Sequence, residues 1–297
     1  SDEVAGCQDE TACNWNPNAT NPCAEEWSDN INSINFGNEN NDSYLKVENS
    51  NIDFSNNFTI SFQVNTEIGQ YELSYNDYNP VFYMGAINED GSIASLAADQ
   101  VLEIYFGNQE MSMNVVTASG TTGDYFGGSS FTNAWNNDSN WMSISVVCNE
   151  GTYQMYFNGL ASEDSYNWGN LVDEDHPFYI GKGTIDEPGQ GGQSTFDGLI
   201  DNFQIWEIAL NEQQISNYID CPPSGDEIGL SAFWDFNNVN DLGADLTNNV
   251  NTIINDVSAS NNVPNQNCTY SCCSYVAEGE DCAGCTDMSA CNYNPSA

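Results

Sequence analysis

The sequence predicts an all-β sandwich. Three observations carry that expectation: short apolar runs alternating with period two, punctuation by Asn, Asp and Gly between them, and a helical pattern at one place only. Residues 58–64 (Phe-Thr-Ile-Ser-Phe-Gln-Val) alternate as a half-buried strand does. The runs 81–87, 101–106, 111–116, 141–148 and 153–157 follow the same rule. Asn149-Glu150-Gly151-Thr152 reads as the hairpin turn between the last two, with Gly151 supplying positive φ. The one helix expected runs from Glu212 to Tyr218, with Asn211 as its N-cap. Many strands and almost no helix between about residues 31 and 257 leave a sandwich or jelly roll.

Composition narrows the function. The 297 residues hold 44 acidic side chains against two lysines (Lys46 and Lys182), for a net charge of −42. Such a chain cannot neutralise phosphates, which excludes nucleic acid, and it cannot dock electrostatically on anionic lipid. Asparagine is as abundant as the two acids together, so the surface is acidic and amide-rich. With 12% aromatic and 39% hydrophobic residues the chain is not a disordered acidic tail. No apolar run approaches the roughly 20 residues of a membrane span, so no membrane insertion is expected.

Eleven cysteines accompany a single histidine, His176, which cannot complete a zinc site with thiols so placed. An oxidising, extracellular compartment is expected. Nothing at Ser1 reads as an export signal, so the chain is expected to be a piece of a longer exported protein.

The ends support that reading. Gly6-Cys7-Gln8-Asp9-Glu10-Thr11-Ala12-Cys13-Asn14-Trp15-Asn16-Pro17-Asn18-Ala19 returns as Gly284-Cys285-Thr286-Asp287-Met288-Ser289-Ala290-Cys291-Asn292-Tyr293-Asn294-Pro295-Ser296-Ala297, identical at nine of fourteen positions. The first copy continues to Cys23, and Cys282 lies just upstream of the second. The expectation is one period of a longer repeat. Three domains follow: a Cys-rich linker at 1–23, the β domain at 24–260, and a second linker with a truncated copy at 261–297. Cys7, Cys13, Cys23, Cys282, Cys285 and Cys291 are expected to staple these linkers by disulfides whose pairing the spacing leaves open. Cys148, Cys221, Cys268, Cys272 and Cys273 are an odd number, so one is free or pairs elsewhere.

The repeats resemble the Cys-Asn-Tyr-Asn-Pro modules of giant Bacteroidota cell-surface proteins, which are type nine secretion substrates. The middle resembles laminin-G-like and pentraxin domains. Trp141 to Val146 followed by Tyr156-Phe157-Asn158-Gly159 is similar to their central hairpin, and Phe178-Tyr179-Ile180-Gly181 to a later strand. Phe196-Asp197-Gly198-Leu199-Ile200-Asp201 through Trp206, Ala209-Leu210, and the Leu230–Phe236 and Asp245–Ile253 segments resemble the family's ending. The fold implied is a concanavalin A-like jelly roll with small disulfide-stapled linkers at both ends.

That resemblance implies calcium as a cofactor, held by oxygen ligands at one edge of the sandwich. Asp186 and Glu187, in the loop after the Phe178–Gly181 strand, are the first candidates and Asp201 the second. Amides and acids of the repeats (Asp9, Asn14, Asn16, Asn18, Asp287, Asn292, Asn294) could also ligate, or could cap turns beside Pro17 and Pro295. For a glycan the candidates are aromatics in polar, Gly/Asn/Asp-rich segments expected to be loops: Tyr125, Phe126, Trp135, Tyr166 and Trp168. Trp141, Trp206 and Trp234 fall in strand-like runs and belong to the core.

Catalysis is not expected. Retaining glycoside hydrolysis needs two carboxylates about 5 Å apart, and no Glu-x-Asp triplet exists to set them on one strand. His176 precedes Pro177 in an acidic stretch, with no serine elbow in sight. The expectation is a non-catalytic extracellular module of a repetitive surface adhesin that binds glycan or cell surface with calcium. A structural spacer is the alternative and a glycoside hydrolase the minor one. Neighbouring repeats and the secretion machinery are the further partners expected.

Overall fold

Two antiparallel sheets face each other across the apolar side chains that the alternation marks. The computed structural model describes residues 30–37, 42–48, 50–66, 78–85, 100–107, 110–135, 141–172, 176–183 and 195–266, all within one unit, residues 30–266. The first sheet holds β1 (Ser33–Asn35), β3 (Phe58–Asn65), β8 (Met142–Asn149), β9 (Thr152–Phe157), β10 (Leu160–Asn167), β12 (Leu199–Trp206), β13 (Leu230–Trp234) and β15 (Ser258–Ser260). Its order is β10-β9-β8-β3-β12-β1-β15, with β13 also on β12. In the second, β2 (Tyr44–Val47), β4 (Tyr78–Gly85), β5 (Gln100–Gly107), β6 (Glu110–Thr117), β7 (Gly120–Phe126), β11 (Phe178–Ile180) and β14 (Thr252–Asn255) run β14-β2-β11-β4-β5-β6-β7.

Aromatic rings fill the space between the layers. Phe203 stacks on Phe62 of its own sheet at 5.4 Å and reaches Phe82 of the opposite sheet at 6.1 Å. Phe178 and Trp234 meet edge to face at 6.4 Å. Trp206, Trp234 and Trp141 are buried, as their strand-like runs predict. The expected hairpin turn is present, and both of its central residues, Glu150 and Gly151, have positive φ (49° and 75°), the geometry that matches strand twist.

The expected helix is α2 (Glu212–Asp220), slightly longer than its pattern; the Asn211 side chain accepts from Gln214 N while the Gln214 side chain accepts from Asn211 N. It packs Ile215 against Val147, Trp206, Leu230 and Phe233 on the outer side of the first sheet. A second helix, α1 (Gly128–Trp135), has no counterpart in the sequence pattern. Apart from Ala134 its eight residues are weak helix formers, and Gly and Ser suit a helix end rather than its interior. A partner from β10 supplies what the local sequence lacks: Ser129 N and Oγ both donate to Glu163 Oε1, at 3.4 and 2.5 Å. Phe131 then anchors the helix against Phe157, ring centroids 5.1 Å apart.

The segments around Tyr125 and Tyr166, expected to be loops, are strands β7 and β10. Each is an edge strand of its sheet. An edge strand needs few apolar residues, which is why their polar sequences read as loop. Cys148 is a free, buried thiol. The linkers at 1–23 and the repeat after residue 266, with Cys7, Cys13, Cys23, Cys282, Cys285 and Cys291, lie outside the described residues.

Candidate functional site

Antiparallel register lines up side chains from neighbouring strands on the outer face of the second sheet. Ile104, Phe106, Met111 and Met113 point into the core, so the residues between them point outward. One row runs Tyr83–Glu103–Asn114–Gly123, and the next runs Pro80–Tyr105–Ser112–Tyr125. A side chain at position 123 would overlap Asn114 Oδ1 and Met113 O, so glycine is what leaves that end of the row open.

Within these rows Glu103 is only 3% exposed. It survives there through hydrogen bonds: the Tyr78 phenol donates to Oε1, and Asn114 Nδ2 donates to Oε2 at 3.3 Å. Burial pushes the Tyr105 phenol up, the neighbouring Glu103 carboxylate adds to this, and the Ser112 and Asn114 side chains pull it part of the way back. Ser112 itself is 1% exposed, and its hydroxyl is enclosed without a properly formed hydrogen bond. Across the β6–β7 ladder from it stands Tyr125, 41% exposed.

Tyr125 also joins this face to the edge of the sandwich, where β7 and β10 come together. The Tyr166 hydroxyl donates to Tyr125 O at 3.4 Å. Tyr166 and Trp168 stack with centroids 5.0 Å apart and planes within 7°, and Phe126 meets both edge on, at 5.1 and 6.1 Å. Tyr166 and Trp168 are half-buried, while Phe126 is part of the core. The structure therefore brings two candidates, Tyr166 and Trp168, together against Phe126, while the Tyr125 side chain takes the other face of β7 and meets them only through its backbone oxygen. The backbone of Trp135 closes α1; its side chain lies outside the described residues.

Three carboxylates surround that edge. Burial pushes the Glu110 carboxyl up, and Asp164 and then Asp124 push it further. The Tyr166 phenol is raised by burial and then by Asp124 and Asp164. No sequence signal links Glu110, Asp124 and Asp164, because they come from three strands in two sheets. Among the described residues no set of three His, Cys, Asp or Glu side chains could hold a metal.

Both lysines of the chain stand elsewhere on the second sheet. Lys46 pairs with Glu48 at 2.9 Å and lies 5.6 Å from the Tyr179 ring centroid. Lys182 pairs with Asp42 and lies 4.8 Å from the Tyr44 centroid. Four strand spacings separate β11 from β7, roughly 19 Å at about 4.8 Å each.

Of the calcium candidates, Asp186 and Glu187 lie outside the described residues. Asp201 is fully buried. Its Oδ2 accepts from Asn30 Nδ2 at 2.8 Å and its Oδ1 from Asn202 N at 2.7 Å. Burial holds its carboxyl well above the usual carboxylate range, against those two hydrogen bonds and with Asp235 adding to the rise. A polar cleft of about 730 Å³ at one end of the sandwich is lined by Asn56, Asn57, Asn149, Glu150, Asn170 and Glu207 and holds none of the expected residues.

A family model described as the concanavalin A-like lectin/glucanases superfamily, laminin G type, matches residues 38–216. The chain is similar to a candidate carbohydrate-binding protein of Bacteroides ovatus: TM-score 0.55, 16% identity, covering 78% of this chain and 60% of that one. It is similar to a heptameric SAP-like pentraxin of Limulus polyphemus as well: TM-score 0.52, 13% identity, 82% of this chain and 100% of that one. At such identities the likeness is one of fold. The chain thus spans 60% of the length of the Bacteroides protein. No curated protein matches it.

Proposed function

Because the chain belongs to the concanavalin A-like lectin/glucanases superfamily, we propose that it is a non-catalytic, carbohydrate-binding module of a long extracellular surface protein. One observation carries the proposal. Tyr125 projects to solvent on the edge strand whose next residue, Phe126, meets the stacked Tyr166–Trp168 pair, with the half-buried amide of Asn114 one row away on the same face. Sugars need both, ring faces for their C–H surfaces and polar groups for their hydroxyls. The fold shared with the Bacteroides ovatus protein is consistent with such a role.

The adhesin setting, the export route, the domain limits 1–23, 24–260 and 261–297, and packing against neighbouring repeats all belong to this proposal. Calcium belongs to it through Asp186 and Glu187. Asp201 does not suit a ligand's role, since both oxygens already accept hydrogen bonds in a buried setting that favours the neutral acid. The spacer alternative has one observation in its favour, the exposed Ile253 and Ile254 on edge strand β14, a surface for end-to-end contact.

The test is a glycan array probed with the full chain, in millimolar calcium and in EDTA, beside the Tyr125→Ala variant. Binding that the variant loses supports the module. Silence from folded protein in both buffers sinks it and leaves the spacer.

A further inference from the structure

We propose that the amide-lined cleft at one end of the sandwich is a second sugar subsite, and that it takes a neutral, hydroxyl-rich ring. The cleft shares no side chain with the Tyr125 edge and stands or falls without it.

Four connections meet there: the entry to β3, the β8–β9 turn, the exit of β10 and the exit of β12. The space between them, about 730 Å³, lies inside the roughly 300–1,000 Å³ of small-molecule sites. Its walls are built before any ligand arrives. Asn57 Oδ1 accepts from Glu150 N at 2.7 Å, which supports Glu150 at the positive φ of 49° that the turn demands. Gly151 O accepts from both Trp168 N and Gly169 N at 3.1 Å. A Cβ on Gly151 would lie 2.6 Å from Gly169 Cα, so the turn and the β10 exit touch backbone to backbone. Glu207 is fully engaged, Oε1 accepting from Asp53 N at 3.0 Å and Oε2 from Ser231 Oγ at 2.6 Å.

The groups left over select the ligand. The exposed side chains of Asn149 and Asn170 have no partner among the described residues. Each offers a donor and an acceptor together, which matches a hydroxyl, since a hydroxyl both gives and takes a hydrogen bond. Half-buried Ile208 and Ala209 line the same cleft and present apolar surface to the C–H face of a ring. Both lysines of the chain are paired elsewhere, and Glu150 and Glu207 turn away an anionic sugar.

The test is saturation-transfer NMR on the full chain carrying Tyr125→Ala, which removes the edge site and isolates the cleft. Glucose, galactose, mannose, N-acetylglucosamine and glucuronate are the probes, at millimolar concentration. Binding too weak for a glycan array to retain is expected for at least one neutral sugar, and none for glucuronate. Asn149→Ala and Asn170→Ala, added singly and together, remove exposed side chains without partners, so the melting temperature should not move. Together they are expected to weaken the neutral sugar about tenfold. Silence of every neutral sugar, equal saturation of glucuronate, or a response that the asparagine pair leaves unmoved overturns the inference. None of these outcomes alters the array result on the parent chain, which decides the carbohydrate-binding module separately.

Discussion

The indole of Trp168 lies flat on the ring of Tyr166, centroids 5.0 Å apart and planes 7° from parallel. Tyr153 closes the other side at 5.3 Å, so the indole is wedged although it is only half-buried. Trp168→Ala is expected to cost about 2 kcal/mol, below the roughly 3–5 of a fully buried tryptophan. Trp168→Phe, which keeps a stacking face, should lose less than half of that. Urea unfolding of the two variants measures the difference, and equal losses would mean that the stack contributes nothing beyond bulk.

Gly181 and Phe36 stand so close that a Cβ on the glycine would lie 2.2 Å from two carbons of the phenylalanine ring, and the backbone there has φ +77°. Gly169 has a similar φ, +89°, but open space around it. Comparing the two alanine variants separates steric clash from backbone strain. Gly169→Ala should cost about 1 kcal/mol, the strain alone. Gly181→Ala adds overpacking of the Phe36 ring and should cost about 3 kcal/mol. Midpoints of chemical denaturation decide between this and a common cost.

How far the sequence carries the fold follows from where each strand sits. β3 and β8 are central, and the alternation of Phe58, Ile60, Phe62 and Val64 with polar residues in β3 is legible because half of each strand faces the core. β7 and β10 are edges with few apolar residues, β7 only in its last two, Tyr125 and Phe126, and β10 only in Leu160, Ala161 and Tyr166. Helix α1 is illegible because Glu163, which holds its first turn, is 34 residues away. The site divides in the same manner. Aromatics amid polar residues mark Tyr125, Tyr166 and Trp168 in the sequence. Their neighbours Ser112, Glu103 and Glu110 arrive through strand register, which no local pattern records.

Calcium bound by Asp186 and Glu187 would stabilise the folded chain by mass action, about 2.7 kcal/mol at a hundredfold excess over Kd. Millimolar calcium should therefore raise the melting temperature of the full chain above its value in EDTA. Magnesium at equal ionic strength controls for relief of self-repulsion at a net charge of −42. The pair Asp186→Asn, Glu187→Gln should abolish the calcium-specific part, and Asp201→Asn should leave it intact. Loss of the calcium effect in Asp201→Asn would return Asp201 to the ligand set.

Asp201 makes a sharper prediction through its proton. In the folded protein its carboxyl sits well above the usual carboxylate range, chiefly because it is buried. Between the unfolded value and the raised folded one, the folded state holds a proton that the unfolded chain has released. Stability must then fall as pH rises through that window, by about 1.36 kcal/mol for each pH unit that separates the two values. Below the unfolded value the contribution is complete; above the folded one it is gone. The surroundings fit a neutral acid: Asp235 adds repulsion to the charged form, and Asn30, which donates to Asp201, has its own Oδ1 buried without a donor. Asp201→Asn keeps the shape and removes the titration. The stability difference between variant and parent should therefore move in the variant's favour from about pH 4 upward and level off once the folded carboxyl has ionised. Subtracting the two profiles cancels the self-repulsion common to both chains. A flat difference across that range would mean that Asp201 is ionised in the folded protein at all of these pH values.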